Sequence, residues 1–146
     1  MAIQDANLEL ADGQSLTTNG ASTNIVDTLT LGNALKNAWF YFRVDTAAAV
    51  GVGNPLLNVQ LQTSNDSSFL ESTMVTLITS ASFSAAMLTA KKYFAVPIPP
   101  YIKRYLRGYN CWSSQVNPNY LTAFAFDMYI GQEPNVRIDR RFSLYG

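Results

Sequence analysis

Alternation of apolar and polar residues along several short segments is the feature that most limits the fold of this chain. In residues 38–45, 57–63 and 120–130 the apolar side chains recur at every second position. That period belongs to β-strands, whose successive side chains point to opposite faces of a sheet. We expect these apolar rows to face a core: Ala38, Phe40, Phe42 and Val44 in the first segment, Leu57, Val59 and Leu61 in the second, and Phe124, Phe126, Met128 and Ile130 in the third.

Shorter segments extend the β pattern, and turn residues separate them. The sequence predicts further strands at these ranges: 7–11, 14–17, 24–29, 73–79, 93–98 and 104–111. Asp12-Gly13 is a typical two-residue hairpin signal, and Pro97 indicates an edge strand or its end. Single helical turns are expected at 64–70 and 82–88, and no segment has the pattern of a helix of three turns.

These elements predict an all-β fold, an antiparallel β-sandwich of jelly-roll type with a C-terminal extension. We assign residues 1–130 to the sandwich domain and residues 131–146 to a C-terminal tail or arm, because Gly131 and Pro134 end the last strand. The tail is too apolar for a solvated segment. Two alternatives stay open: it folds back as an edge strand of its own sheet, or it reaches a neighbouring subunit.

Composition excludes several kinds of chemistry. The chain of 146 residues has no His and a single Cys, Cys111. Ser-His and Cys-His pairs, His-ligated metals and an intramolecular disulfide are therefore impossible within it. We expect no enzyme, no cofactor, no metal site and no catalytic residue. Paired carboxylates are the remaining catalytic alternative, with Asp45 and Asp127 on predicted strands, although such residues more often pair with arginines such as Arg43 or Arg107.

The charges are few and unevenly distributed. Charged residues make up 14% of the chain and the net charge is zero, which argues against a nucleic-acid partner. Residues 1–90 contain two basic and seven acidic residues, whereas residues 91–146 contain eight basic and three acidic ones. Either the two halves interleave and the charges mix within one sandwich, or an acidic patch of one subunit faces a basic patch of another.

Two further features concern partners. Lys103, Arg104 and Arg107 alternate with tyrosines in a basic aromatic strip, which is also found in single-strand nucleic-acid binders. Alternation favours a structural explanation, with the tyrosines on one face and Arg104 on the other. The N-terminus has no signal-peptide pattern, and no apolar run is long enough to span a bilayer, so we expect no membrane partner.

Beyond these patterns, a series of segments resembles the capsid cement (decoration) proteins of tailed phages of the Bordetella-phage type. None of the segments is a catalytic motif, and the specificity comes from their order and spacing over roughly residues 3–130. They are residues 5–16, 21–27, 42–46, 57–66 and 97–107.

The resemblance implies a jelly-roll protein that binds the outer surface of an assembled head and clamps neighbouring major capsid protein subunits. It implies a homo-oligomer, with a dimer favoured over a trimer, located on the virion. The tail after residue 130 looks like an addition to the family's usual length, so its role does not carry over. The alternative function is a carbohydrate-binding β-sandwich module on a virion or cell surface, in which exposed aromatic rings stack on sugars.

Protein interfaces favour aromatic and arginine anchors, which indicates where a capsid or subunit partner would bind. Each of the two tryptophans has the alternative of covering the sandwich core. The candidate partner-binding residues are Trp39, Tyr41 and Arg43 on an outer strand face, Trp112 and Tyr120 beside a loop, and Arg137, Arg140, Arg141 and Phe142 in the tail.

Overall fold

The computed structural model describes residues 8–30, 37–113 and 121–132. These residues form ten β-strands. Short 3-10 turns lie at Thr28–Thr30 and Ala85–Met87, and the described residues contain no α-helix. The strands are β1 (Glu9–Ser15), β2 (Gly20–Ala21), β3 (Val26–Asp27), β4 (Trp39–Val50), β5 (Leu56–Ser64), β6 (Val75–Thr79), β7 (Phe83–Ser84), β8 (Tyr93–Pro97), β9 (Tyr105–Trp112) and β10 (Leu121–Gly131).

The strands form two antiparallel sheets that pack face to face. The first sheet has the order β1-β10-β4-β8, and the second has the order β2-β9-β5-β6, with β3 also paired to β9 and β7 to β5. If β2 with β3 and β6 with β7 are each treated as one interrupted strand, this is the eight-strand order of a jelly roll. The predicted fold class is confirmed. Among the described residues, none belongs to a helix with the length and hydropathy of a membrane span.

The core lies between the sheets and contains all three predicted apolar rows. Each of the eleven expected side chains is at most 4% exposed. Aromatic rings fill the centre: Phe42 stacks on Phe94 at a centroid distance of 5.3 Å and on Phe126 at 5.8 Å. Full burial of such side chains is the main favourable contribution to folding. The alternation in the sequence therefore determined which faces of β4, β5 and β10 meet in the core.

The predicted hairpin at Asp12-Gly13 is wrong. Both residues lie within β1, which continues through them to Ser15 and pairs with β10 along its length. Gly13 has a φ of 56°, a conformation that glycine adopts without strain, and the pairing register shifts between Ala11 and Gln14. The same dipeptide that suits a hairpin turn thus forms a β-bulge. The backbone N–H of Gly13 donates a hydrogen bond of 2.6 Å to Oδ1 of Asp127.

Two predicted strands are shorter in the structure because local hydrogen bonds replace sheet pairing. β3 ends at Asp27, whose Oδ1 accepts a bond from the Leu29 N–H at 3.1 Å. β6 starts only at Val75, because the N–H groups of Thr73 and Met74 bond to the carbonyl of Leu70. Side-chain acceptors such as Asp27 compete with strand ladders in this way.

The two predicted helical turns have different outcomes. A 3-10 turn is present at Ala85–Met87, inside the range 82–88. Residues 64–70 contain no helix: Ser64 ends β5 and a turn follows, in which Oδ1 of Asp66 accepts a bond from the Ser68 N–H at 2.9 Å. Phe69 follows with a φ of 51°, which ends any helical path and directs its ring towards the protein, where it is 5% exposed.

The edge strand β8 has a proline at a position that limits further pairing. The Val44 N–H donates to the carbonyl of Lys92 and the Ile98 N–H donates to the carbonyl of Ala38, which makes residues 92, 94, 96 and 98 the ones that bond to β4. The backbone groups of Tyr93, Ala95 and Pro97 therefore point away from the sheet. Because Pro97 has no N–H, the described part of this edge offers only two outward donors. The prediction that Pro97 marks an edge strand or its end is confirmed, and here it marks both.

Candidate interaction surface

Four aromatic residues lie together on the outer side of the first sheet. Register places Tyr41 directly opposite Tyr129 of β10 and Ala95 of β8, and Trp39 opposite Gly131 and Pro97. We call this surface the aromatic face and define it by Trp39, Tyr41, Tyr93 and Tyr129, with the charged residues Arg43 and Asp127. The predicted outer row of β4 is thus completed by residues of both neighbouring strands.

The rings of Tyr41 and Tyr129 stack in parallel, with centroids 4.8 Å apart and planes 5° apart. Gly131 makes room for this arrangement, because a Cβ there would lie 3.1 Å from Cε2 of Tyr41. The Tyr41 hydroxyl donates a hydrogen bond to the carbonyl oxygen of Gln132. Tyr41 is consequently only 9% exposed, while Trp39, Tyr93 and Tyr129 are half-buried. The face presents a rigid aromatic surface.

An ion pair lies beside the stacked rings. Arg43 and Asp127 are direct cross-strand partners, with Nε and Oδ2 separated by 3.8 Å, and their side chains are 47% and 17% exposed. This pairing was one of the predicted alternatives for Asp127 and is confirmed. Burial of Tyr129 in this environment raises the pKa of its hydroxyl, and the nearby Arg43 opposes that shift only in part. The phenol therefore stays neutral at physiological pH.

Of the two carboxylates considered as a catalytic alternative, Asp127 has structural partners and Asp45 is exposed. Asp127 accepts the Gly13 N–H and pairs with Arg43, so both of its oxygens are engaged. Asp45 is exposed at the end of the same outer row. In the part of the chain that the structure describes, no three His, Cys, Asp or Glu residues are grouped so that they could hold a metal ion.

The other predicted interface residues separate into two groups. Trp112 is 2% exposed and packs edge-on against Phe124 at 5.4 Å, which corresponds to the core alternative. Trp112 is therefore not available for stacking on a sugar. Tyr41 and Tyr129 each cover one ring face of the other, so that those two faces are also unavailable to a sugar. The remaining candidates lie outside the described residues: Tyr120, Arg137, Arg140, Arg141 and Phe142.

Tyr93 and Tyr129 were not recognised as surface residues from the sequence. Their signal was present, because each alternates with large buried side chains beside it: Tyr93 precedes Phe94, and Tyr129 lies between Met128 and Ile130. What the sequence did not contain was the pairing register that brings three strands together around Tyr41.

The second sheet exposes a different surface. On β9 the side chains of Tyr105, Arg107 and Tyr109 alternate with buried neighbours and face outward. Arg107 thus shares a face with the tyrosines. It donates a hydrogen bond to Gln62, so of the two arginines considered as partners for the carboxylates, Arg43 and not Arg107 forms the observed pair.

Arg104, just before β9, has a carboxylate partner, which Arg107 lacks among the described residues. Its Nε and Nη2 bond to the two carboxylate oxygens of Asp27 at 3.2 and 3.0 Å. The hydrogen bonds of Arg104 hold the pKa of Asp27 below its ordinary value of 3.8. This pair and the Arg43–Asp127 pair both join the acidic half of the sequence to the basic half. They support the alternative in which the two halves interleave within one sandwich.

A family model named Bbp16 matches residues 10–130 of the chain. The chain belongs to the Bbp16 family. The Bbp16 match begins in β1 and ends one residue before the end of β10, so it covers the described sandwich and not the tail. It is consistent with the Bordetella-phage resemblance at the level of a phage protein family. A search of curated proteins finds no match to the chain.

Proposed function

We propose that this Bbp16 protein is a capsid cement protein. It binds the outer surface of the assembled phage head and clamps neighbouring major capsid protein subunits, which stabilises the shell. Membership of a phage protein family and the jelly-roll fold support the proposal, as does the series of segments that resembles cement proteins.

The aromatic face is the observation that carries this proposal. An outer sheet face of a free protein normally carries polar residues, whereas here Trp39, Tyr93 and Tyr129 remain half-buried around the nearly buried Tyr41. Aromatic residues with an arginine at their border are the typical composition of a protein–protein hot spot. The stacked rings lose little conformational entropy on binding because they are already fixed.

A cement protein acts by mass action. It binds the assembled shell and not the separated subunits, so each binding event shifts the equilibrium towards the intact shell. Contacts to two neighbouring subunits also raise the effective concentration of the second contact once the first has formed. Moderate affinity at each contact is therefore sufficient. The protein also associates with itself on the shell, as a dimer rather than a trimer.

Binding to heads that lack the protein tests the proposal. We expect the purified chain to bind such heads on their outer surface and to raise their melting temperature, both measured with cryo-microscopy and calorimetry. The Trp39→Ala and Arg43→Ala variants should bind more weakly. Val52→Ala is the matched control, because Val52 is 53% exposed on the loop between β4 and β5, away from the aromatic face.

The outcome that contradicts the proposal is equally specific. If the wild-type chain does not bind heads, or is located only inside them, the protein is not a cement protein. If it binds but Trp39→Ala and Arg43→Ala bind as tightly as Val52→Ala, the aromatic face is not the contact surface. Thermal unfolding of each variant establishes that weaker binding does not result from loss of the fold.

A further inference from the structure

Arg107 is held in a fixed position on the outer face of the second sheet. Its guanidinium lies 4.4 Å from the ring centroid of Phe69 and 5.6 Å from that of Tyr109. Nε donates a hydrogen bond of 2.8 Å to Oε1 of Gln62, the residue directly opposite on β5. Nη2 contacts the sulfur of Met74 at 3.4 Å. Within the part of the chain that the structure describes, three of the five N–H donors of Arg107 remain for another acceptor.

The loop of residues 65–74 completes this arrangement and is itself fixed. Phe69 packs under the guanidinium and is 5% exposed. The Nζ of Lys103 bonds to the carbonyl of Thr73 at 2.8 Å, and the hydroxyl groups of Ser64 and Thr73 bond to each other at 3.1 Å. Arg107 therefore has one orientation before any partner arrives, which lowers the entropy cost of binding.

Arg107 differs from the two arginines that have internal partners. Arg43 and Arg104 each have a carboxylate within 4 Å, whereas no described residue forms an ion pair with Arg107. Partial burial disfavours its charged form and lowers its pKa, but a guanidinium remains a cation at physiological pH. A half-buried cation without an anion is unfavourable in the free protein, and an acidic partner would relieve that cost.

We propose that Arg107 is the receptor for a carboxylate presented by a neighbouring shell protein. Its planar fork suits a carboxylate, which accepts two parallel hydrogen bonds from one guanidinium. This inference rests on the proposed function and extends it. A clamp must contact two subunits, and the Arg107 surface lies on the outer side of the second sheet, opposite the aromatic face of the first. The two outer faces of the sandwich then supply the two contacts.

Arginine substitutions tested on heads that lack the protein decide the matter. Arg107→Met keeps an apolar stem against Phe69 and removes the charge. We expect it to weaken binding by about 10- to 100-fold, the range for loss of a hydrogen-bonded charge. Arg107→Lys keeps the charge without the fork and should weaken binding less. Arg104→Met is the matched control, because Arg104, three residues earlier in the chain, already has Asp27 as its partner, and this variant should bind like wild type.

Salt supplies a second readout. Binding of wild type should weaken as the salt concentration rises, and the difference between wild type and Arg107→Met should shrink, because salt screens exposed charge pairs. Thermal unfolding checks that each variant is folded. If Arg107→Met does not fold, the comparison of Arg107→Lys with Arg104→Met takes its place, since lysine retains the cation over Phe69.

The failures can be told apart. If wild type binds heads and both Arg107→Met and Arg107→Lys bind as tightly as wild type, the role of Arg107 is overturned and the cement function stays intact. Wild type that does not bind heads overturns both. A loss of binding in Arg104→Met as large as that in Arg107→Met also overturns the inference, because the effect would then come from the general positive charge of this surface.

Discussion

Gly108 of β9 and Met128 of β10 are in direct contact across the two sheets. A Cβ atom on Gly108 would lie 2.1 Å from the sulfur of Met128, well inside the sum of their radii. Both positions are buried, and Met128 is fully so. The absence of a side chain at residue 108 therefore sets how closely the two sheets approach at this point.

We predict that Gly108→Ala lowers the free energy of unfolding by about 1–3 kcal/mol, the usual cost of overpacking. Urea denaturation measures it. Met128→Ala, which removes the opposing side chain, provides the control. If the two residues compete for one space, the double variant should be more stable than the sum of the single effects predicts. Strict additivity would contradict the close contact.

Asn110 gives a second prediction, of opposite sign. It is completely buried on the inward side of β9, and among the described residues neither polar atom of its side chain has a hydrogen-bond partner. The same is true of the indole N–H of Trp112, two residues on. An unpaired buried amide costs free energy that an apolar side chain of similar size does not. Asn110→Leu should therefore raise the free energy of unfolding by about 1–3 kcal/mol.

Asn58 on β5 is the control for that experiment. Its amide donates to the carbonyl of Ser80 at 3.0 Å and to the hydroxyl of Ser82 at 3.2 Å. Asn58→Leu should accordingly destabilise the protein, by about 0.5–1.5 kcal/mol. A destabilised Asn110→Leu would contradict the prediction that this buried amide costs stability.

The ionisation of Asp27 should make part of the free energy of unfolding depend on pH in the acidic range. Its pKa is held below 3.8 by Arg104, so the unfolded chain takes up the proton first as the pH falls. The contribution of the pair is fully present above pH 3.8 and is lost as the pH falls through the lowered value. Urea titrations of wild type and Arg104→Met should differ at neutral pH and converge in acid. A difference that persists in acid would contradict this assignment.

Tyr129 should make stability depend on alkaline pH. Burial raises its pKa above the ordinary value of 10.0, so the unfolded chain loses this proton first as the pH rises. The contribution of Tyr129 to stability is therefore constant below pH 10.0 and declines above it. Absorbance titration of the eight tyrosines should show a late-titrating group that is absent from Tyr129→Phe. Identical curves for the two proteins would be inconsistent with a buried phenol.

The core was predictable because it depends on local periodicity, as for Phe40 and Phe42, whose burial follows from position along one strand. The bulge at Gly13 was not, because glycine permits both a hairpin turn and a bulge, and only Asp127 of a distant strand selects between them. Tyr93 and Tyr129 were missed for a related reason. They form a surface only through the register of β8 and β10 against β4. The sequence of each strand taken alone does not specify that register.

The tryptophans show the same limit. Trp39 and Trp112 both lie on alternating strands, and each was open to a core or a surface position. The order of strands in the two sheets decides between them, since the inward side of β9 meets Phe124 whereas the outward side of β4 meets Pro97. For Arg107, alternation gives the outward direction, but the partner depends on Gln62 of another strand.

The proline at the edge of β8 has a consequence for stoichiometry. Because Pro97 leaves only the N–H groups of Tyr93 and Ala95 facing outward, that edge cannot extend its sheet by a full-length strand of a second copy. Open-ended growth of the protein on itself is therefore suppressed along β8. On the proposed cement function, the number of copies on a shell would then be set by the binding sites that the shell provides, so that occupancy would saturate instead of continuing to increase with protein concentration.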